Sequence, residues 1–305
     1  LLAKTNGVYP LSRCGSGVCL YEGQVLEFQI ADLFEKSGVN PVDLVRQMAQ
    51  EMKKSFAHVE AARIRTLPAL ISLNMLCEDT QSISLGAIPL GMDRDTVMPV
   101  TFDFTQRFIH VCLFSDPAVQ PYVSIFGELF SLSGAYTVYA IDMLSFLKKT
   151  DGMHYACDLS SAKTLIDTML EIVHQRYKES TLAQRAGTEK PTYPPCVFLL
   201  CGMTDLLEQL DSESIDKLDT LLLFGESALY LTVVLIQNVR KATSLSIKEW
   251  HAKHVSMRDG LWFGTGFDSQ YAFDISKRIR HGLGNDFSYV ITAGTASAYK
   301  PISTL

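Results

Sequence analysis

Five short apolar runs constrain this chain more than anything else in it. They read RFIHVCLF (107–114), YTVYAIDM (136–143), CVFLLCGM (196–203), LTVVLIQNV (231–239) and GLWFGTG (260–266). Several are rich in β-branched or aromatic residues, as strands are. They are apolar at consecutive positions rather than alternate ones, so each is buried on both faces. Segments with helical spacing lie between several of them, roughly at 119–132, 159–178 and 212–227. Doubly buried strands that alternate with helices predict an α/β fold with a mainly parallel sheet.

The flanking segments read differently. AIPLGMDRDTVMPVTFDF (87–104) predicts two short strands around a polar turn, with Asp93 and Asp95 shaping that turn. Residues 1–34 read as β structure, with a Gly-rich turn before one strand and Glu22-Gly23 as a second turn. Asn40 and Pro41 mark a helix start, as N-cap and first helical residue. Val42, Val45, Met48, Ala49, Met52 and Phe56 continue at helical spacing. The polar, Pro-bearing ESTLAQRAGTEKPTYPP (179–195) predicts an exposed loop. This organisation sets a division at residue 86: 1–85 as a hairpin plus helical linker, and 86–305 as the main domain.

Composition excludes some functions. The net charge of −6 and pI of about 5.7 argue against a domain-wide nucleic-acid footprint, which is normally basic. Seven cysteines are scattered, and Cys112, Cys196 and Cys201 lie in apolar runs, so buried reduced thiols are expected. No apolar stretch reaches the roughly 18 residues that a membrane helix needs. The start, LLAKTNGVYP, has no initiator Met and reads as the cut end of a longer chain.

The segment FIHVCLFSDPAVQPYVSIFGELF (108–130) carries the functional question. A strand, a turn and an apolar helix stand where a P-loop would read G-x-x-x-x-G-K-[ST]. Ser115 stands for the first Gly, followed by Asp116. Gln120, Pro121 and Tyr122 stand for Gly-Lys-[Ser/Thr]. Gln120 lacks the backbone freedom that brings N–H groups to a phosphate. Pro121 removes the Lys cation and one donor. Tyr122 puts a ring where a small hydroxyl would hold Mg²⁺. The residues alone leave two readings open, a dismantled phosphate site and a generic strand–turn–helix. The strand CVFLLC ends in Cys201-Gly202 where a Mg²⁺-holding acid would stand. Asp205 follows too late and reads as a cap for LLEQL. Asp142 ends YTVYAI and either points into the crevice at the strand ends or caps a helix.

Other constellations are weaker. Cys14 and Cys19, Cys196 and Cys201, and the pair His251 and His254 lack a partner set at zinc-like spacing. FGESAL has Leu229 where a nucleophile elbow needs Gly. Lys277, Arg278, Arg280 and His281 read either as a solvated helix face or as a contact for a neighbouring domain or acidic partner.

The order of these segments resembles the FtsK/SpoIIIE-type ATPase domains of type VII secretion motors, the EssC/EccC family. IPLGMDRDTVMPVTFDF is similar to that family's opening segment, I-P-[IL]-G-x-D followed by V-x-P-V. HVCLFSDPAVQPYVSIFGELF sits at its Walker A place, VYAIDM at the next strand, and CVFLLCGMTDLL at its Walker B place. LTVVLIQNVR sits at the next core strand, while GLWFGTGFDSQYAFDI and HGLGNDFSYVITAG resemble its closing segments. GSGVCLYEGQVLEFQIA resembles the last hairpin of a preceding ATPase domain. The resemblance covers nearly the whole chain.

It implies a P-loop NTPase (RecA/FtsK-like) three-layer fold. It implies a C-terminal domain whose nucleotide site is degenerate at Ser115, Asp116, Gln120, Pro121, Tyr122, Asp142, Cys201 and Gly202. No catalytic residue and no metal ligand is expected, nor any cofactor, with ATP and Mg²⁺ held only if the degenerate site still binds. The implied partners are a small secreted helical-hairpin protein of the WXG100 type and the adjacent ATPase domains, in a motor that is possible as a homo-hexamer. No nucleic acid is expected. The implied location is the cytoplasmic part of a membrane-anchored bacterial protein. The rival reading is a nucleotide-binding or active ATPase domain that grips ATP through unorthodox residues. A DNA translocase is a third; the negative charge and the absent P-loop Lys weigh against it.

Overall fold

The computed structural model describes residues 16–21, 24–29, 40–55, 66–77, 83–132, 134–276 and 283–305. The chain divides into two compact units, Leu1–Ile64 and Arg65–Leu305. In the first, β1 (Ser16–Tyr21) pairs antiparallel with β2 (Gln24–Gln29), with Tyr21 opposite Gln24. Glu22, Gly23 and Phe56 lie outside the described residues. Helix α1 (Pro41–Ser55) starts where the sequence predicts, because the Asn40 carboxamide accepts the Val42 N–H at 3.0 Å.

The second unit carries a ten-stranded sheet. In chain order its elements are β3 (Ile88–Asp93), β4 (Pro99–Phe102), β5 (Ile109–Phe114), α2 (Gln120–Leu132), β6 (Thr137–Asp142), β7 (His154–Ala156), α3 (Leu159–Ala186) and β8 (Cys196–Cys201). Then follow α4 (Met203–Leu207), α5 (Ser212–Phe224), β9 (Leu231–Asn238), α6 (Val239–Ala242), α7 (Glu249–His254), β10 (Gly260–Phe263), β11 (Ser288–Thr292) and β12 (Thr295–Pro301). The sheet order is β4-β3-β12-β11-β10-β5-β9-β8-β6-β7. From β10 to β7 the strands run parallel, and from β4 to β10 they pair antiparallel.

Alternation along the parallel strands sets the layers. Val111, Leu113, Phe198, Leu200, Val233 and Leu235 face one side, with Ile166 and Met169 of α3 and Leu218 and Leu222 of α5. Cys112, Phe114, Val197, Leu199, Val234 and Ile236 face the other, with Val123, Phe126 and Phe130 of α2. The result is a three-layer α/β fold of the P-loop type.

Four details differ from, or sharpen, the sequence reading. Helix α3 runs to Ala186, past the expected stop at 178, and ends on Gly187 in the left-handed region (φ 65°). Six of the eight residues at 179–186 (Glu, Leu, Ala, Gln, Arg and Ala) are good helix formers, and a polar surface does not break a helix. In the turn after β3, Asp93 alone shapes the chain: its Oδ1 accepts the Asp95 and Thr96 N–H groups at 3.0 and 2.7 Å. Asp95 instead pairs with the Arg94 guanidinium. Gly91 sits at a register shift of β3, where a Cβ would stand 1.9 Å from the Lys300 carbonyl oxygen, so the G of IPLGMD is a steric requirement. Finally, residues 66–77 lie in the second unit, where Ile71 and Leu73 bond the backbone of Ser303 and Thr304.

One buried titratable group gives this unit a pH dependence. His110 on β5 is 4% exposed, and its Nε2–H points at the carbonyls of Phe104 and Arg107, each at 3.1 Å. Burial pushes its pKa down to about 4, with the two carbonyl bonds opposing. The folded ring is therefore neutral at pH values where an unfolded His takes up a proton. The stability tied to this group is full above about pH 6.5 and is lost as pH falls towards 4, by roughly 3 kcal/mol over that window. Denaturant unfolding at several pH values checks this: His110→Gln should flatten the curve between pH 6.5 and 4.

Candidate functional site

The turn between β5 and α2 occupies the carboxyl edge of the parallel strands, where open α/β sheets bind ligands. Its N–H groups from 118 to 120 are bonded within the turn itself. The Asp116 carboxylate accepts the Ala118 N–H at 2.9 Å and caps a single 3₁₀ turn, Pro117–Val119. The Val119 N–H bonds the Asp116 carbonyl at 3.3 Å, and the Gln120 N–H bonds that of Pro117. Pro117 and Pro121 have no N–H. From 117 to 121, then, every backbone donor is absent or already bonded.

The side chains close the same space. Ser115 Oγ donates to the Thr265 carbonyl at 2.7 Å, and Trp262 Nε1 donates to that oxygen at 3.0 Å. Asn238, at the end of β9, donates to the Ser115 carbonyl at 3.4 Å. Val119 is fully buried in the α2-side core. It stands against Gly264 (φ +73°), where a Cβ would come within 2.5 Å of the Val119 Cγ1. Gln120 donates to the Phe146 carbonyl at 3.4 Å, and Pro121 is exposed on the first turn of α2. The Tyr122 hydroxyl donates to the Asp286 carboxylate; burial and that carboxylate push its pKa up.

Asp142, Cys201 and Gly202 stand at the neighbouring strand ends, with Asp142 opposite Cys201 in the β6–β8 ladder. Asp142 is fully buried and does neither job the sequence allowed it. Its two oxygens accept the N–H groups of Leu144, Phe146 and Leu147 at 3.2, 3.2 and 2.8 Å, and the Tyr155 hydroxyl at 3.0 Å. It therefore organises the loop after β6 and ties it to β7. Burial, then the Asp142 charge, raises the pKa of the Cys201 thiol. Gly202 precedes α4 in the left-handed region, with Leu144 packed where its Cβ would stand. Asp205 lies inside α4 and forms an ion pair with Lys241, so the capping position is Gly202 and not Asp205.

The structure thus brings Ser115–Tyr122 together with Gly264, Thr265 and Asp286. The sequence reading missed those three partners. The one available signal, for Gly264 and Thr265, was the Gly-Thr-Gly at the end of GLWFGTG. Lys277, Arg278, Arg280, His281 and Cys14 lie outside the described residues. Of the two histidines on α7, His254 donates to the Leu223 carbonyl at 3.1 Å.

No family model and no curated protein matches this sequence. Solved structures do. The fold is that of an EssC/EccC-type ATPase domain. The cytoplasmic domain of EssC superposes with a TM-score of 0.63 at 17% identity, covering 92% of this chain and 56% of that one. EssC ATPases 2 and 3 from Geobacillus thermodenitrificans give 0.63 at 16% identity, over 92% of this chain and 53% of that one. Thermomonospora curvata EccC ATPases 2 and 3, in complex with a signal sequence peptide, give 0.60 at 14% identity, over 96% and 54%. The chain spans just over half the length of each of these structures.

The Val119–Gly264 contact makes a prediction. Gly264→Ala forces a Cβ into both a positive-φ backbone and a filled space, and should destabilise the chain by about 2–3 kcal/mol. Val119→Ala in the same background should restore part of that loss. A double-mutant cycle in chemical denaturation would measure the coupling; strict additivity would mean that Val119 does not fill the crevice.

Proposed function

We propose that this chain is a non-hydrolysing ATPase-like module of a type VII secretion motor, acting by binding rather than by catalysis. The observation that carries this reading is the β5–α2 turn, in which residues 117–121 have no backbone donor left for a phosphate. A phosphate cradle works by presenting several unbonded N–H groups at once. Here Asp116 adds a carboxylate to the same turn, and Val119 anchors it in the α2-side core against Gly264. The degenerate site is the set Ser115, Asp116, Gln120, Pro121, Tyr122, Asp142, Cys201 and Gly202. None of these residues is assigned a catalytic step, a metal or a cofactor.

In this reading the hairpin β1–β2 closes a preceding ATPase domain, and α1 belongs to the linker between the two. The module contacts neighbouring ATPase domains and recognises a small secreted helical-hairpin protein, within a motor anchored in a bacterial membrane. Support for a peptide partner comes from the EccC structure above, which holds a signal sequence peptide.

Calorimetric titration of Mg-ATP at millimolar concentration tests the reading. No saturable heat is expected, and no rise in Tm. A ligand at about 100 times its Kd adds about 2.7 kcal/mol of stability, so genuine micromolar binding would be plain in the melting curve and would overturn the reading. Replacing the P-loop positions together, as Gln120→Gly, Pro121→Lys and Tyr122→Thr, should still not create ATP binding, because Asp116 and Val119 continue to hold the turn shut.

A further inference from the structure

At the opposite end of β5 from the turn, a cavity of about 210 Å³ opens beside the starts of β5 and β10. Phe102, Asp103, Arg107, His110 and Asp259 line it, with Gly86 in its wall. Two of its charges answer each other. The Asp259 carboxylate pairs with the Arg107 guanidinium at 3.2 Å, and also accepts the Ser256 hydroxyl and the Ala293 N–H. Asp103 has no such cation. Its Oδ1 accepts the Thr105 N–H and hydroxyl at 2.8 and 2.6 Å, and its Oδ2 accepts only the Gln106 carboxamide at 3.1 Å. Burial raises the Asp103 pKa, but these bonds outweigh burial and lower it, so the carboxylate is ionised. Asp103 is the one uncompensated charge in the described lining.

His110 supplies a second unanswered acceptor. Both partners of its Nε2 are carbonyl oxygens, so Nε2 carries the proton and Nδ1 keeps a lone pair. Nδ1 has no hydrogen-bond partner among the described residues, and it is not among the unpaired atoms sealed from solvent. The side chain is otherwise buried, and it lines this cavity. A fixed carboxylate and a fixed lone pair, both short of donors, call for a ligand that brings N–H groups and a positive charge.

The lining narrows the kind of cation. No group of three His, Cys, Asp or Glu side chains at metal spacing occurs among the described residues, so a bare metal ion would lack protein ligands. An ammonium is a compact, strongly hydrated charge. A guanidinium is planar and weakly hydrated, presents several donors at once, and stacks on aromatic rings such as Phe102. We propose that this cavity binds a guanidinium group, which donates to the Asp103 carboxylate and to His110 Nδ1 beside the Phe102 ring. The site shares no residue with the β5–α2 turn, so it stands whether or not that turn holds nucleotide.

The probe is ethylguanidinium, titrated into the full 305-residue chain at neutral pH. Two-dimensional ¹H–¹⁵N NMR of the histidine rings follows the His110 Nδ1 resonance, assigned by its loss in His110→Gln. That resonance should move in a saturable way, with a Kd of about 1 mM for a molecule of this size. Ethylammonium, with the same charge and no planar fork, should bind about tenfold more weakly. Asp103→Asn keeps an oxygen for Thr105 and removes the charge; it should weaken ethylguanidinium about tenfold. Gly86→Leu fills the cavity from its wall and should abolish binding. A Cβ at Gly86 would stand 3.9 Å from Asp103 Oδ1, an ordinary contact, so this variant adds volume without strain. A stationary His110 Nδ1 resonance, equal binding of ethylammonium, or binding unchanged by either variant would each overturn the site. N-acetyl-arginine methylamide separates the two sources of the group. Binding as tight as that of ethylguanidinium assigns the site to an arginine side chain of a polypeptide, and binding tenfold weaker assigns it to a free small molecule.

Discussion

Strand β5 is held between two parallel neighbours, β9 and β10, and the rest of the second unit depends on that pairing. Once β5 is central, its alternating residues must divide between two cores. Val111 and Leu113 go to the α3/α5 side, and Cys112 and Phe114 go to the α2 side. A one-residue slip would exchange these sets and put His110 into a different environment. The same pairing delivers the turn after Phe114 to the carboxyl edge of the sheet. It also brings Asn238, which ends β9, and Thr265, which follows β10, to that turn.

That placement explains how a P-loop-type fold persists without the residues of a P-loop. A phosphate-binding turn keeps its amides unbonded for the ligand. This turn bonds them to itself through Asp116 and the 3₁₀ turn, and is anchored by Val119 in the α2-side core. An Asp cap of this kind contributes about 1 kcal/mol, and burying a Val side chain contributes about 1.5–3 kcal/mol. These gains stabilise the closed turn in the absence of any ligand. The two prolines, at 117 and 121, fit because neither position needs a donor once the turn is closed.

Much of this architecture was legible before any coordinates. The five apolar runs become β5, β6, β8, β9 and β10, because strands buried on both faces have no choice but continuous apolarity. The helix starts at Asn40 and near Gln120 were legible through local chemistry. Other features were not. The strand β7 is three residues long and exists only through its pairing with β6. Asp142 could be read as a crevice residue or a cap, since the amides it binds become neighbours only when the chain turns back after β6. Tyr122 gave no sign of Asp286, which lies more than half the chain away.

The sequence by itself determined the class of fold, the positions of the central strands and the absence of the P-loop residues. Those are properties of local composition and spacing, and they survive without knowledge of contacts. Only the tertiary structure decided whether the altered turn was open or shut. That depends on Gly264, Thr265 and Asp286, which reach the turn through β10 and the segment after it. The same holds for His110 Nδ1. Its lone pair follows from the Phe104 and Arg107 carbonyls that stand against the other ring nitrogen, and a linear sequence does not record what stands against what.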